Sequence, residues 1–550
     1  MLSRGKFLAT LSVCLATIVS IMIVGCDRVL PVDKASEESH LIMGNGSDPA
    51  TLDPSLCTGT LEYKILNALF EGLVCADTKT LAIKPAVANE WEISNDGLRY
   101  KFKLNPNAKW SDGKKVSAKD FEFAWKRTLN PTIGSEYAFM LFVIKNGRAY
   151  NSGTIKDSNK VGVKAVDENT LVIELEKPTP YFLSLLYMPA YFPLPEHILR
   201  KFNAHNTRIA DWTKPNNMVS NGAFTLKKWS INDSVVVEKN KLYHASDKIF
   251  LNKITFLPIQ NINTEDRAFR AGQIHITDSI APSRIDNIRK YAPKTLQQNK
   301  WIGTYYYQIN ATRPPLNNPK VRKALAMSID RNAIIKSFLK AGQPPAFAFI
   351  PEGCGNYKTK ESAKIKEDIA TAKKLLAEAG YPNGKNFPTI RITYNTSEQH
   401  KPIAEAIQQM WKDNLGITAE LYNLSWPAYL SARRNKDFDV ARSSWIGDYA
   451  SPETFLEIFL SDSGLNHSGY KSKSFDEKIK KSQLAKTDEE RFKLLAEAEA
   501  ELLDQLPIIP IYFYSKVFRI SEHVQGWHSN IIDYHNYHNV KLKKKGTQND

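Results

Sequence analysis

The sequence is short of the signals that mark chemistry. It has no GxSxG elbow, no P-loop, no GxGxxG and no HExxH. An enzyme reading therefore has no nucleophile and base to name. No CxxC and no Cys/His spacing suited to a metal occurs, so no metal or other cofactor is expected. The eleven histidines gather only near the end, at His523, His528, His535 and His538, where surface positions are the simple reading. Beyond Val24 no run is long and apolar enough to span a bilayer. No repeat or low-complexity linker divides the chain.

What remains is ordinary globular material: 550 residues, 42% hydrophobic and 24% charged. This length holds roughly two to four domains. The net charge of +16 falls to +14 without Arg4 and Lys6. The basic residues are dispersed and carry no RNA-binding or helix-turn-helix signature, so no nucleic-acid partner follows. Lys541 to Lys545 reads as a solvated tail. Met1 to Lys6 is basic, Phe7 to Val24 is mostly apolar, and Gly25 follows. This reads as a secretory signal over residues 1–25. A membrane-spanning anchor is the alternative, weakened by Thr10, Ser12, Thr17 and Ser20. Residues 26–38 are polar and read as a tether. With Cys14 and Cys26 assigned to the signal, Cys57, Cys75 and Cys354 cannot all pair. A Cys57–Cys75 bridge and free buried thiols are both open.

Leu98, Tyr100, Phe102 and Leu104 alternate with Arg99, Lys101 and Lys103, which predicts a strand with one wet face. Trp110-Ser111-Asp112-Gly113 makes a turn. Ser117 then caps a helix, with Asp120 three residues on. Asn130-Pro131 ends it. Strands are predicted at Thr389–Tyr394 and Ile417–Tyr422. Between them a helix carries Ile403, Ile407, Met410 and Trp411 on one face. Alternation of this kind signals an α/β layer.

The stretch from Trp426 to Tyr449 concentrates the unusual residues. Trp426 to Asn435 reads as a helix ending in Arg433 and Arg434. Phe438 to Ser443 reads as a strand, with Phe438, Val440 and Arg442 on one face. A buried guanidinium needs a carboxylate or an equivalent partner. Trp445 and Asp448 follow where the strand gives out. Spacing alone favours an Arg442–Asp448 ion pair with the tryptophans as core.

FDVARSSWIGDY, Phe438 to Tyr449, also resembles the FDVAR-x-x-W-x-x-DY segment of the oligopeptide-binding proteins of bacterial peptide ABC transporters, extracellular solute-binding protein family 5. The Trp110–Gly113 turn and its capped helix resemble that family's WSDG unit, although Lys115 stands where a proline is common. VSNGAFTLKKW at Val219–Trp229, TYYYQIN at Thr304–Asn310 and VRKALAMSIDR at Val321–Arg331 match further blocks in order. The matched blocks run from Gly44 to about Tyr514. Ile23 to Cys26 resembles a lipobox, with Cys26 as the lipidated first mature residue. Asp27 after it resembles the signal that keeps enterobacterial lipoproteins on the inner membrane.

The resemblance implies an α/β fold of the class II periplasmic-binding-protein type, three-lobed, with two jaws joined by a hinge. Lobe I would comprise residues 39–70, 197–303 and 516–545, lobe II residues 71–196, and lobe III residues 304–515. Asp448 would bind the peptide's α-amino group. Arg442, His400, Arg433 and Lys340 would meet the carboxylate of peptides of different length. Trp426 and Trp445 would wall pockets, and Tyr137 and Tyr514 would line the ligand. Thr58 stands where a family member has a ligand-side glutamate, and Gly303 and Ile446 stand where it has a disulfide. The implied protein is no enzyme. It is a monomeric, lipid-anchored binding subunit at the periplasmic face of the inner membrane. It would capture oligopeptides and pass them to the permease subunits of an ABC importer. The alternatives are a binder of murein peptides or of another small solute such as a nickel chelate, an exported peptidase, and a chaperone-like protein.

Overall fold

The computed structural model describes residues 29–57, 59–396, 399–485 and 487–544. The signal segment, Cys26 and Thr58 lie outside the described residues. So does the side chain of Trp426, whose backbone opens the helix Trp426–Arg434.

Three larger sheets organise the chain. The first joins His40–Gly44, Phe224–Ser230, Ser234–Lys239 and Lys253–Leu257. The second joins Ala88–Ile93, Arg99–Leu104, Val163–Ala165 and Thr170–Glu174. Its strand Arg99–Leu104 buries Tyr100, Phe102 and Leu104 and leaves Arg99 and Lys103 exposed, as the alternation requires. The helix Ala118–Leu129 begins at the Ser117–Asp120 capping box, where the Ser117 N–H donates to Asp120 Oδ2 at 2.8 Å. It buries Phe121, Ala124 and Trp125.

The third sheet holds β1 (Leu296–Ile309), β2 (Ile390–Asn395), β3 (Ala419–Leu424), β4 (Val440–Ile446) and β5 (Ile508–Arg519), in the order β3-β2-β4-β1-β5. β2 runs parallel to both its neighbours. β1 runs antiparallel to β4 and β5. The strand expected at Phe438–Ser443 thus starts and ends later. Its bounds are set by pairing with β1, from Gly303↔Ile446 to Ile309↔Val440.

β1 and β5 overrun this sheet. Past a register break between Lys300 and Thr304, Leu296–Lys300 still pairs with Ser515–Arg519. That far end reaches the first sheet. Ile520 bridges Ile276, which bridges Met43, and Arg519 Nη1 lies 3.0 Å from Asp266. The largest hydrophobic cluster gathers around the first two sheets, and a second gathers around the third. The β1–β5 ribbon joins them. Two cores on a shared ribbon are the two jaws and hinge that the sequence led one to expect.

The jaws touch in this structure. The Tyr181 hydroxyl donates to Glu457 Oε1 at 3.1 Å, and Tyr181 stacks on Tyr449 with centroids 4.6 Å apart.

Other expectations need correction. The tether does not extend to residue 38, because Pro31–Glu37 is a helix with Val32, Ala35 and Ser36 buried. Pro31 at its first turn and the apolar Val32 and Ala35 make it dock rather than dangle. Of the two readings left open for Cys57, Cys75 and Cys354, free thiols is the one observed. The late histidines are not a surface set. His535 is 4% exposed, stacks on Trp527 at 3.9 Å and contacts Asp533 at 3.1 Å. Among the described residues no group of three or more His, Cys, Asp or Glu could hold a metal.

Candidate functional site

β4 is the axis of the site. Arg442 and Tyr307 are register partners on β4 and β1, so they share a face. Tyr305, two residues along β1, lies on that face as well. Tyr305 stacks on Tyr512 at 4.6 Å, and Tyr512 meets Tyr514 edge-on at 5.4 Å. The Arg442 guanidinium sits in this tyrosine nest. Its carbon lies 4.8 Å from the Tyr305 centroid, and Nη2 donates to the Tyr514 hydroxyl at 3.2 Å. The side chain is buried. Among the described residues no carboxylate lies within 4.0 Å of it, and its Nε has no protein partner.

The same end collects further groups. Arg433 donates to Gln308 Oε1 at 3.1 Å and lies 5.7 Å from the Tyr429 ring. Its Nε and the Tyr307 hydroxyl are also buried without a protein partner. His400 Nδ1 lies 3.3 Å from the Tyr305 hydroxyl. Burial, and then the Arg442 charge, pull its pKa down to about 3, so it is a neutral imidazole at pH 7. Lys340 is exposed in a left-handed turn at φ 56°. Among the described residues no hydrogen bond or ion pair ties it to this cluster.

Asp448 stands at the other end of β4. Gly447 lets the chain press against β1 there. Its N–H donates to the Ile302 carbonyl at 2.8 Å, and a Cβ would come within 3.2 Å of Ile302 and 3.0 Å of Thr454. The Thr454 hydroxyl accepts from the Asp448 N–H at 3.2 Å and from Trp445 Nε1 at 3.3 Å. Thr454 therefore orients both residues. The Asp448 carboxylate accepts from the Tyr137 hydroxyl at 3.4 Å, and Tyr137 meets Tyr63 edge-on at 6.3 Å. No cation lies within 4.0 Å of Asp448 among the described residues. Desolvation by burial raises its pKa to about 7, against a smaller opposing effect of the Tyr137 hydrogen bond.

The ion pair favoured by spacing is therefore absent. Arg442 and Asp448 face different surroundings at opposite ends of one strand. At about 3.3 Å per residue the chain between them covers roughly 20 Å at most. Asp448 also borders two cavities. One, of about 280 Å³, is walled by Tyr63, Tyr137, Tyr187, Trp301 and Tyr534. The other, of about 530 Å³, lies between the jaws beside Trp445, Tyr181 and Glu457.

The structure thus brings Arg442, Arg433, His400 and Tyr514 together at one end and Asp448, Trp445 and Tyr137 at the other. Thr454, Trp301 and Tyr63 were missed by sequence reasoning. Tyr305 lay inside TYYYQIN, taken only as a block matching the family, although period two along a strand would have paired it with Tyr307. Gly303 and Ile446 are register partners, so a disulfide would fit there but for the residue types.

Residues 82–467 match the family model for bacterial extracellular solute-binding proteins, family 5 Middle. The periplasmic oligopeptide-binding protein OppA of Escherichia coli (strain K12) is 36% identical over 505 residues, covering 90% of each chain. The periplasmic murein peptide-binding protein MppA of the same organism is 36% identical over 501 residues, covering 90% of this chain and 91% of that one. Among solved structures, Haemophilus influenzae OppA in complex with RPPGFSPFR superposes with a TM-score of 0.78 at 32% identity. It covers 92% of this chain and 99% of that one. The chain belongs to the bacterial extracellular solute-binding proteins of family 5.

Proposed function

We propose that this protein is the lipid-anchored binding subunit of an ABC importer, which closes on oligopeptides and delivers them to a membrane permease. One observation carries the reading. A single strand ends in an unpaired carboxylate, Asp448, and bears an unpaired buried guanidinium, Arg442. A peptide zwitterion supplies both missing partners, an amine and a carboxylate. Arg442 is buried and Asp448 half-buried, so each contact is stronger than it would be in open solution. Between the ends, an extended peptide can satisfy its backbone by strand-like pairing. Arg433 and His400 lie near Arg442 and offer carboxylate contacts at other positions. Lys340 serves longer ligands only if its turn moves. The Tyr181–Glu457 contact supports a closing cleft, with Cys26 as the lipid site.

Murein peptides are a second reading, favoured by the equal identity of the murein peptide-binding relative. Native mass spectrometry of the purified protein tests both. Intact co-purified peptides are expected. Masses carrying diaminopimelate would choose the murein reading. Cleaved peptide, or a non-peptide solute, would refute the proposal.

A further inference from the structure

The aromatic cavity beside Asp448 is more than space for any side chain. Five rings wall it, from Tyr63, Tyr137, Tyr187, Trp301 and Tyr534. Tyr187 is buried and packs against Tyr534 at 5.1 Å, so this wall is preformed. Trp301 touches Tyr514 at 5.9 Å, and Tyr514 receives the Arg442 hydrogen bond. In the register of β1 with β4 Trp301 falls level with Asp448, so the cavity abuts the amine site itself. A peptide whose amine rests on Asp448 sets its first side chain beside it.

The charges in the cavity floor cancel among themselves. Lys64 is paired with Asp278. Lys516 lies 3.5 Å from Asp278 and 3.4 Å from Asp533. Asp533 also holds His535 at 3.1 Å. Two cations thus meet two carboxylates, and Asp448, the remaining carboxylate of the lining, is taken by the peptide's amine. A charged side chain would lose water there without gaining a counter-ion. An aromatic one would gain apolar contact and edge-to-face packing.

We infer that this cavity is a specificity pocket that selects peptides with an aromatic first residue and disfavours charged ones. The inference rests on the peptide reading of Asp448. Calorimetry with Phe-Ala-Ala, Ala-Ala-Ala, Lys-Ala-Ala and Glu-Ala-Ala tests it on the unaltered protein. Burying a phenyl group predicts tighter binding of Phe-Ala-Ala than Ala-Ala-Ala, by about ten- to a hundredfold. The two charged peptides should bind no tighter than Ala-Ala-Ala. Tyr187→Ala and, separately, Trp301→Ala should narrow the Phe-to-Ala ratio. Phe-Ala-Ala within twofold of Ala-Ala-Ala, or a charged peptide as tight as Phe-Ala-Ala, overturns the pocket. N-acetyl-Phe-Ala-Ala separates the two readings. If acetylation costs nothing while the aromatic preference persists, the Asp448 reading fails and the pocket stands.

Discussion

Peptide affinity should fall steeply in acid, and Asp448 sets where. In the unliganded protein its pKa is raised to about 7 by burial. An ammonium group docking on it favours the charged carboxylate and so lowers that pKa. Losing one partner of a buried pair costs about 3–5 kcal/mol. At 1.36 kcal/mol per pKa unit, this places the bound value roughly two to four units below 7. A group whose pKa falls on binding gives affinity that is full above the free value and is lost as pH falls towards the bound one. Affinity should thus drop close to tenfold per pH unit below 7, and roughly a hundredfold by pH 5. A peptide's own amine, with a pKa of about 8, sets an upper limb. At pH 7 about half a proton should leave per peptide bound. Calorimetry in phosphate and Tris, from pH 5 to 8, measures both quantities. Asp448→Asn should abolish the acid limb and lower affinity several hundredfold or more at pH 7.5. N-acetylating the peptide should do the same, and the two losses should not add. Affinity that stays flat between pH 5 and 7, or an acetylated peptide that binds like the free one, would refute the amine role.

Cys26→Ser should release the protein from the membrane fraction and abolish palmitate labelling, since stable anchoring takes two acyl chains or an equivalent; unchanged labelling would sink the lipobox. Peptide should lower the radius of gyration in small-angle scattering, and Glu457→Ala, which removes the acceptor of the Tyr181 hydroxyl, should enlarge the unliganded form and weaken binding by about tenfold. Arg442→Met and C-terminal amidation of the peptide should each weaken binding, and together cost little more than either alone. Asp448→Asn should raise the Tm of the unliganded protein at pH 7.5 and leave it nearly unchanged at pH 3.5. A carboxyl whose folded pKa is raised destabilises the fold only as pH climbs past its unfolded value.

Much of the architecture was legible because it is locally encoded. The Leu98–Leu104 alternation and the Ser117–Asp120 box each need only neighbouring residues, and both occur as read. β4 was placed two residues early, since its bounds depend on β1, more than a hundred residues away in sequence. The docked helix at Pro31–Glu37 was read as tether because its few apolar residues show no long period, and its partner at Gly272 is remote. At the site, spacing put Arg442 and Asp448 close enough to pair. It could not show that a strand held straight by β1 keeps them apart. Thr454 gave no signal at all, because a threonine that orients an indole and a backbone amide looks like any other.

The docked N-terminal helix bears on how the protein would search for its permease. Val32 donates to the Gly272 carbonyl at 2.9 Å, and Ser36 meets the buried His275 at 3.2 Å, so the chain is docked on the body from Val32 onward. A lipid on Cys26 would leave only Asp27 to Leu30 as leash, at most about 14 Å when fully stretched. The body would then ride against the bilayer rather than roam the compartment. Its encounter with a membrane partner becomes a two-dimensional search at high local concentration. Capture of peptide from bulk solution must then proceed through whichever side of the cleft that leash turns away from the lipid.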